Sequence, residues 1–312
     1  MSFRLPPAAL AAAVWLGATW PGAPVPAAAQ ELRTRALQTV DGERTVLITD
    51  FSRGRRAPLV LVLHDALGTS AQVRGYMAWD GVGARERLVI AYPQGRAQSW
   101  NDGTPPDGRR FSASHISDDV AFIRRVVEDL SADGRIDRER IFVTGLGAGG
   151  LMTFRLMCEA GDLFAAAAPL LANLAIRWTR ACPSRPMPVL MMMGTLDRFA
   201  PWAGRAHRGD PESTLLSGLD GFTFLRIRNG CSGAGERPLP DSVESDGSRV
   251  VLMDGTGCRH ATQLYRIEGG GHQTPTRAGR QATPLVGSQL GNQNHDIEAA
   301  EEIWQFFANR TR

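Results

Sequence analysis

The chain alternates short apolar runs with segments in which apolar residues recur every three or four positions. Six of the runs predict strands, at Thr45–Thr49, Leu59–Leu63, Leu88–Ala91, Arg140–Thr144, Val189–Met193 and Gln263–Ile267. The first run alternates apolar and polar residues, which is typical of an edge strand. The continuous runs are typical of a parallel sheet that is covered on both faces.

Three segments with helical periodicity lie between or after these runs, at Asp118–Leu130, Leu151–Cys158 and Ile297–Ala308. Ser117 is expected to cap the first helix, with Asp118 and Asp119 in its first turn. This role is favoured for the two aspartates over that of a catalytic carboxylate pair. The alternation of strands and helices predicts an α/β fold: a mostly parallel, doubly wound sheet with helices on both faces.

Two stretches rich in Gly, Pro, Ser and Asp, at 203–220 and 232–249, are expected to be surface loops rather than linkers. The sequence shows no internal repeat. Residues 30–312 are therefore predicted to form a single α/β domain, a size that suits one large core.

The N-terminal segment has the pattern of a signal peptide. Arg4 precedes an apolar run, Ala8–Trp20. Three prolines and the small residues Ala27–Ala29 follow this run. The run is too short for a comfortable membrane span, and the prolines would break a helix. We therefore expect residues 1–29 to be removed near Ala29, with export to the periplasm or the medium and no membrane association.

Composition excludes several function classes. All 35 basic residues are arginine, so chemistry that needs a Schiff-base lysine or a P-loop lysine is excluded. The arginines are scattered and 32 acidic residues nearly balance them, which argues against a nucleic-acid partner. The oligomeric state is left open.

The four cysteines, Cys158, Cys182, Cys231 and Cys258, form an even set in a chain expected to be exported. Such a set favours two disulfides, for which three pairings are open. Spacings typical of a zinc site are missing from the sequence, and no metal or cofactor is predicted. His115, His207 and His260 are scattered, and His295-Asp296 is expected to cap the last helix.

The segment from Ile141 to Gly150 indicates a strand that enters a glycine-flanked turn and leaves as a helix. This is the context of a nucleophile elbow, G-x-S-x-G, but its centre is Gly147 instead of serine. An ordinary glycine-rich turn is the alternative. Glycine removes a backbone cost of about 1–3 kcal/mol at such a position, so the exchange relaxes the turn while it deletes the nucleophile.

Asp197 and His272 follow two predicted strands, in the chain order elbow, Asp, His that α/β-hydrolases use. Each has an ordinary alternative, as a turn former and as a loop histidine, but the order favours a catalytic pair in which Asp197 orients the imidazole of His272. We expect the two to be within hydrogen-bond reach. His272 should face Gly147 across a gap with room for a serine side chain, whereas Thr144 should point into the sheet.

The sequence resembles the secreted poly(3-hydroxybutyrate) depolymerases and related feruloyl-esterase-like enzymes from about Leu59 to Phe307. The resemblance rests on motifs in the same order: Pro58–His64, Ala91–Gly95, Ser99–Asp102, Asp118–Val120, the elbow, Met193–Asp197, Asn229–Cys231, Gly269–His272 and Glu301–Trp304. It implies the α/β-hydrolase fold, ester hydrolysis, and the disulfides Cys158–Cys182 and Cys231–Cys258.

The departures from this family gather at the expected active site. Gly147 replaces the serine, Asp65 replaces a glycine after the first strand-end histidine, and Gln273-Thr274 replaces Thr-Trp. Backbone N–H groups near Asp65–Ala66 and at Ala148 would form the oxyanion hole. A carboxylate at residue 65 would oppose the charge that develops there, unless its side chain turns away.

These observations favour an esterase-like scaffold with lost or strongly reduced activity. Two alternatives stay open. The first is an active ester hydrolase, either a serine enzyme whose sequence carries a substitution at residue 147 or one in which His272 activates water. The second is a protein that binds esters or aromatic ligands. The expected ligand is a small ester, a polyester or an ester of an aromatic acid.

Overall fold

The computed structural model describes residues 31–105, 116–278 and 289–312. The predicted signal peptide and His115 lie outside these residues. Ten strands of the described part form one sheet: β1 (Glu31–Thr39), β2 (Gly42–Asp50), β3 (Ala57–Leu63), β4 (Val89–Pro93), β5 (Ile136–Leu146), β6 (Ala166–Leu170), β7 (Val189–Gly194), β8 (Gly233–Pro238), β9 (Arg249–Thr256) and β10 (Thr262–Glu268).

The strands lie in the order β1-β2-β4-β3-β5-β6-β7-β10-β9-β8. The six central strands, from β4 to β10, are parallel, and an antiparallel pair closes each side. The expectation that Thr45–Thr49 forms an edge strand is wrong, because β1 pairs along the whole of β2 and takes the edge itself.

Helices cover both faces of the sheet, which confirms the predicted doubly wound α/β class. They are α1 (Ser70–Met77), α2 (Trp79–Glu86), α3 (Asp119–Ser131), α4 (Ala148–Glu159), α5 (Arg177–Arg180), α6 (Gly218–Arg228) and α7 (Ala299–Phe307). Alternate residues of β3 enter two separate cores. Leu59 and Leu61 pack with α3, α4 and α6, and Val60 and Val62 pack with α1, α2 and α7.

Two predicted loops contain regular structure. Strand β8 lies inside 232–249, and α6 begins within 203–220. Strand β8 is exposed and pairs only with β9, so its residues carry no apolar signal. Strand β6 was missed because its sequence, Ala-Ala-Ala-Pro-Leu, lacks the large β-branched residues typical of a buried strand.

The predicted helix caps differ from the structure. Asp118, not Ser117, caps α3, since its Oδ1 accepts from Ala121 N at 2.9 Å. Ser117 Oγ instead donates to Asp119 Oδ2 at 3.0 Å, and the buried Asp119 forms an ion pair with Arg44 at 2.8 Å. Asp118 is therefore the cap of α3, and Asp119 is the buried ionic partner of Arg44.

The expectation that His295-Asp296 caps the last helix is also wrong. Glu298 precedes α7 without a side-chain cap. Asp296 Oδ1 accepts from the backbone of Ser242 at 2.6 Å and of Val243 at 3.2 Å, and so ties a loop to this region.

Two disulfides cross-link the described residues, Cys158–Cys182 and Cys231–Cys258, with sequence separations of 24 and 27. The first joins the end of α4 to the segment before β7. The second joins the residues that flank β8 and β9. Nowhere in the described ranges is a helix both long and apolar enough to cross a membrane.

Candidate active site

Four loops of interest leave the carboxyl ends of parallel strands. Asp65 follows β3, Gly147 follows β5, Asp197 follows β7 and His272 follows β10. Strands β3 and β5 are neighbours, as are β7 and β10, so these ends share one edge of the sheet. Open α/β sheets build their sites at this edge.

Asp197 and His272 are hydrogen-bonded. His272 Nδ1 lies 2.6 Å from Asp197 Oδ2, with only 7% and 1% of the two side chains exposed. Asp197 Oδ1 accepts from the backbone N–H groups of Phe199 at 2.7 Å and Ala200 at 2.9 Å. These bonds fix the carboxylate and, through it, the orientation of the imidazole.

Gly147 occupies the turn between β5 and α4 with φ +54° and ψ −117°, a conformation that favours glycine. Its N–H donates to Leu170 O at 3.0 Å, and the helix begins at the next residue. Gly149 packs against β3, where a Cβ would lie 2.5 Å from Leu63 O. The backbone thus has the shape of a nucleophile elbow without a nucleophile.

Asp65 points into the site, so the alternative in which it turns away is wrong. Its Oδ1 accepts from Ala66 N at 2.6 Å and from Ala148 N at 2.8 Å. These are the two N–H groups expected to bind an oxyanion. Its Oδ2 lies 3.1 Å from His272 Nε2. The carboxylate therefore uses both expected oxyanion donors and contacts the imidazole as well.

The expected gap between His272 and Gly147 is filled. A Cβ atom on residue 147 would overlap Oδ1 and Cγ of Asp65 and would lie 2.7 Å from Oδ2. The prediction of room for a serine side chain is therefore wrong, because the neighbouring loop supplies a side chain to the same space.

The loop that carries Asp65 is held by its own hydrogen bonds. Asp65 O accepts from Gly68 N at 3.0 Å and lies 2.7 Å from His64 Nδ1. The indole of Trp100 donates to His64 O at 2.8 Å, and His64 Nε2 accepts from Gly95 N at 2.9 Å. Burial lowers the pKa of His64, so this histidine is a neutral structural link.

The three ionisable groups are strongly coupled. Burial by itself lowers the pKa of His272, but its hydrogen bonds and charge interactions with Asp197 and Asp65 outweigh burial and raise the pKa to about 10. Burial by itself raises the pKa of Asp65, but the His272 bond and the backbone N–H groups bring it below its usual value. At neutral pH an imidazolium therefore lies between two carboxylates.

Sequence patterns did not indicate several neighbours of the site. Tyr76, on α1, is buried, and burial together with the charge of Asp65 raises its pKa, so its hydroxyl stays neutral. The Phe199 ring lies 5.1 Å from the His272 ring. Gln273 and Thr274 are buried, and Gln273 Nε2 donates to Gly291 O at 2.6 Å. Tyr76 and Phe199 reach the site through side-chain packing, which a single sequence does not show, whereas Gln273 and Thr274 follow His272 directly and were expected here.

Thr144 points into the sheet, where its Oγ1 donates to Ala168 O at 2.8 Å. His207 interacts with its own loop, through Asp210 N at 3.0 Å. His295 Nδ1 lies 2.6 Å from Thr276 O. In the three described ranges, no group of three His, Cys, Asp or Glu side chains is arranged to hold a metal ion.

Comparison with curated proteins finds esterases. The chain is 32% identical to poly(3-hydroxyalkanoate) depolymerase C from Paucimonas lemoignei over 274 residues, which are 80% of this chain and 63% of that protein. It is 25% identical to feruloyl esterase B from Piromyces equi over 232 residues, 71% of this chain and 40% of that protein. The chain thus spans less than two thirds of either relative.

Among solved structures, an acetyl xylan esterase from Aspergillus awamori superposes with a TM-score of 0.56 at 11% identity, covering 88% of this chain and 99% of that one. This likeness shows the α/β-hydrolase fold. No family model matches the chain.

Proposed function

We propose that this chain, which is similar to feruloyl esterases and poly(3-hydroxyalkanoate) depolymerases, is a member of that group of α/β-hydrolases in which serine-dependent ester hydrolysis is lost or strongly reduced. One observation carries the proposal. The carboxylate of Asp65 binds the two N–H groups expected to form an oxyanion hole and fills the space that a side chain at residue 147 would take.

A serine esterase needs a nucleophile, a neutral histidine and free N–H donors for the oxyanion. Gly147 offers no nucleophile. The donors of Ala66 and Ala148 already bind Asp65 Oδ1, so the carbonyl oxygen of an ester cannot reach them. Removal of the serine alone from an intact triad costs about 2 × 10⁶ in kcat in a well-studied protease. The filled oxyanion hole adds to this loss.

The alternative in which His272 activates water for direct attack on an ester is not favoured. A general base must be unprotonated, and a pKa of about 10 keeps His272 protonated at neutral pH. As long as Asp65 is ionised, its Oδ2 also accepts the hydrogen bond of Nε2, the atom that would have to deprotonate the water.

The rim of the site supports a ligand with an apolar part. Leu67, Leu196 and Phe199, which flank Asp65 and Asp197 in the sequence, are 61%, 63% and 36% exposed. Exposed apolar side chains close to one another are typical of surfaces that bind a ligand. The ligand we propose is an ester, a polyester segment or an ester of an aromatic acid, held without carbonyl contact to the oxyanion hole. The oligomeric state does not enter this proposal.

Two disulfides support export, since such bonds persist in oxidising compartments. We propose that residues 1–29 are the signal peptide, cleaved near Ala29, and that residues 30–312 form one α/β-hydrolase domain.

Hydrolysis of 4-nitrophenyl acetate and methyl ferulate tests the proposed loss of activity. The wild-type protein, His272→Ala and the control His207→Ala should all stay near the rate in buffer. Turnover at ordinary enzyme rates by the wild type and by His207→Ala, abolished in His272→Ala, would contradict the proposal.

Binding is tested separately by tryptophan fluorescence with methyl ferulate. Phe199→Ser should weaken binding, because it removes the ring beside His272. Ile227→Ser, at another exposed apolar position on α6, should leave binding unchanged. Equal effects of the two variants would place the ligand elsewhere.

A further inference from the structure

The environment of Asp65 is also that of a nucleophile. We propose that Asp65 Oδ2 accepts an alkyl group from a saturated carbon that carries an anionic leaving group, such as a halide, and that His272 then promotes hydrolysis of the alkyl ester. This inference goes beyond the loss of ester hydrolysis, since it assigns a different reaction to the cleft. Ionised carboxylates form covalent intermediates in other enzymes.

The two oxygens of Asp65 have distinct environments. Oδ1 is held by two backbone N–H groups, which leaves Oδ2 as the oxygen that can attack. His272 Nε2–H uses one lone pair of Oδ2, and a second lone pair is left. The Asp65 side chain is 27% exposed, whereas His272 is 7% exposed and Asp197 1%. Of these three groups, Asp65 is therefore the most accessible to a ligand.

The position of Asp65 is preorganised for this step. Its carboxylate fills the space that a side chain at residue 147 would take. Its loop is fixed by bonds from Gly68 N and His64 Nδ1 to Asp65 O. The oxygen is thus held in place before a substrate arrives, which lowers the entropic cost of attack.

In the first step, Asp65 Oδ2 forms a bond to the saturated carbon while the bond from that carbon to the halide breaks. The halide leaves with the electron pair as an anion. Asp65 becomes an alkyl ester and loses its negative charge.

That loss of charge changes the state of His272. The imidazolium is held by Asp65 and Asp197 together, and alkylation removes the charge of one partner. The pKa of His272 then falls, its proton passes to water, and a neutral imidazole is left beside the ester. The histidine thus becomes a base only after the nucleophile has reacted.

In the second step, His272 Nε2 takes a proton from a water molecule whose oxygen attacks Asp65 Cγ. Negative charge develops on Oδ1, which already lies between the N–H groups of Ala66 and Ala148. The bond from Cγ to Oδ2 breaks, and the alcohol leaves with Oδ2 and the proton from His272. Asp65 is left as a carboxylic acid that contains the oxygen of water, and it passes its proton to His272, which restores the carboxylate and the imidazolium.

This oxygen exchange gives a direct test with the unaltered protein. We would incubate wild-type protein in excess over 1-bromohexane, in water labelled with heavy oxygen, and analyse the peptide that contains Asp65 and the hexanol. We expect label in the Asp65 peptide and unlabelled hexanol. Label in hexanol alone, or no bromide release above buffer, would overturn the inference.

Two variants and a control test whether the reaction takes place at Asp65. In His272→Gln, the hexyl ester should accumulate on Asp65 while steady-state bromide release falls about 100-fold or more, the range expected for loss of a general base. Asp65→Asn should give no adduct at residue 65, and the exposed Asp133→Asn should behave as wild type. Adducts on methionine or histidine but not on Asp65 would also overturn the inference. Nitrophenyl ester hydrolysis, measured on the same samples, reports separately on the proposed loss of esterase activity.

Discussion

The carboxylate of Asp65 and the missing side chain of Gly147 share one space. A Cβ on residue 147 would overlap Oδ1 and Cγ of Asp65, and the same Oδ1 accepts the N–H of Ala148 at 2.8 Å. The carboxylate of Asp65 therefore fits in this position only because residue 147 has no side chain. With glycine instead of serine at the elbow, there is room for the carboxylate of Asp65, which lies on the loop after β3.

We predict that Gly147→Ser alone gives a less stable and inactive protein. The new side chain must displace a fixed carboxylate, and its backbone stays at φ +54°, so the overpacking should cost about 1–3 kcal/mol of unfolding free energy. Asp65→Gly combined with Gly147→Ser removes the overlap, frees the oxyanion hole and places a hydroxyl beside His272. Urea unfolding and 4-nitrophenyl acetate hydrolysis measure the two effects.

The double variant should be more stable than Gly147→Ser and should gain ester hydrolysis that His272→Ala removes. Gly147→Ser with full stability and activity would show that Asp65 moves aside freely. No activity in a folded double variant would place a further defect in the site, with Gln273 and Thr274 as the next positions to change.

Stability should depend on pH in a way set by His272 and Asp65. The pKa of His272 is raised to about 10, so its contribution is fully present below about pH 6.5, the unfolded value, and is lost as pH rises through about 10. The pKa of Asp65 is lowered, so its contribution is present above about pH 4 and is lost as the solution becomes more acidic.

Urea unfolding at intervals between these limits measures the effect. The difference in unfolding free energy between wild type and His272→Gln should be largest between about pH 4 and about pH 6.5, and it should shrink as the pH rises from there towards about 10. A difference that stays constant over this range would mean that His272 is not held as an imidazolium.

Each disulfide should stabilise the fold by about 2–4 kcal/mol, mainly because it restricts the unfolded chain. Replacing Cys158 and Cys182 together by alanine, or Cys231 and Cys258 together, should lower the unfolding free energy by this amount at sequence separations of 24 and 27. Peptide mapping without reduction checks the pairing. Free thiols, or a link between Cys158 and Cys231, would contradict it.

The two aspartates at the start of α3 should differ in their effect on stability. Asp119→Ala leaves Arg44 buried without its partner and should cost about 3–5 kcal/mol. Asp118→Ala removes only a helix cap and should cost about 1 kcal/mol. Thermal unfolding of the two variants compares them directly, and equal losses would contradict the assigned roles.

The sequence predicted those parts of the fold in which burial dictates composition. Strands β3, β4 and β7 are buried along their whole length and are continuous apolar runs, whereas β5 and β10 have shorter apolar stretches among polar residues. Strand β8 at the edge is exposed and β6 is rich in alanine, so neither has such a run. Their positions follow from pairing with neighbours that local patterns do not reveal.

The candidate site, like the fold, could be predicted from the sequence only in part. Chain order and strand ends identified Asp197 and His272, which the structure brings within 2.6 Å. The direction of the Asp65 side chain could not be predicted, because it depends on a rotamer and on free space at Gly147, far along the chain. The charge of His272 depends in turn on that contact.

The pKa of the His272 ring, followed by nuclear magnetic resonance in wild type and in Asp65→Asn, tests the central claim most directly. In wild type, the ring should titrate near pH 10, since two carboxylates hold its proton. In Asp65→Asn, it should titrate at a clearly lower pH, because one of the two charges is gone. Titration of His272 near its ordinary value, about 6.5, in both proteins would show that Asp65 does not occupy the oxyanion hole beside a protonated histidine, and would contradict the account.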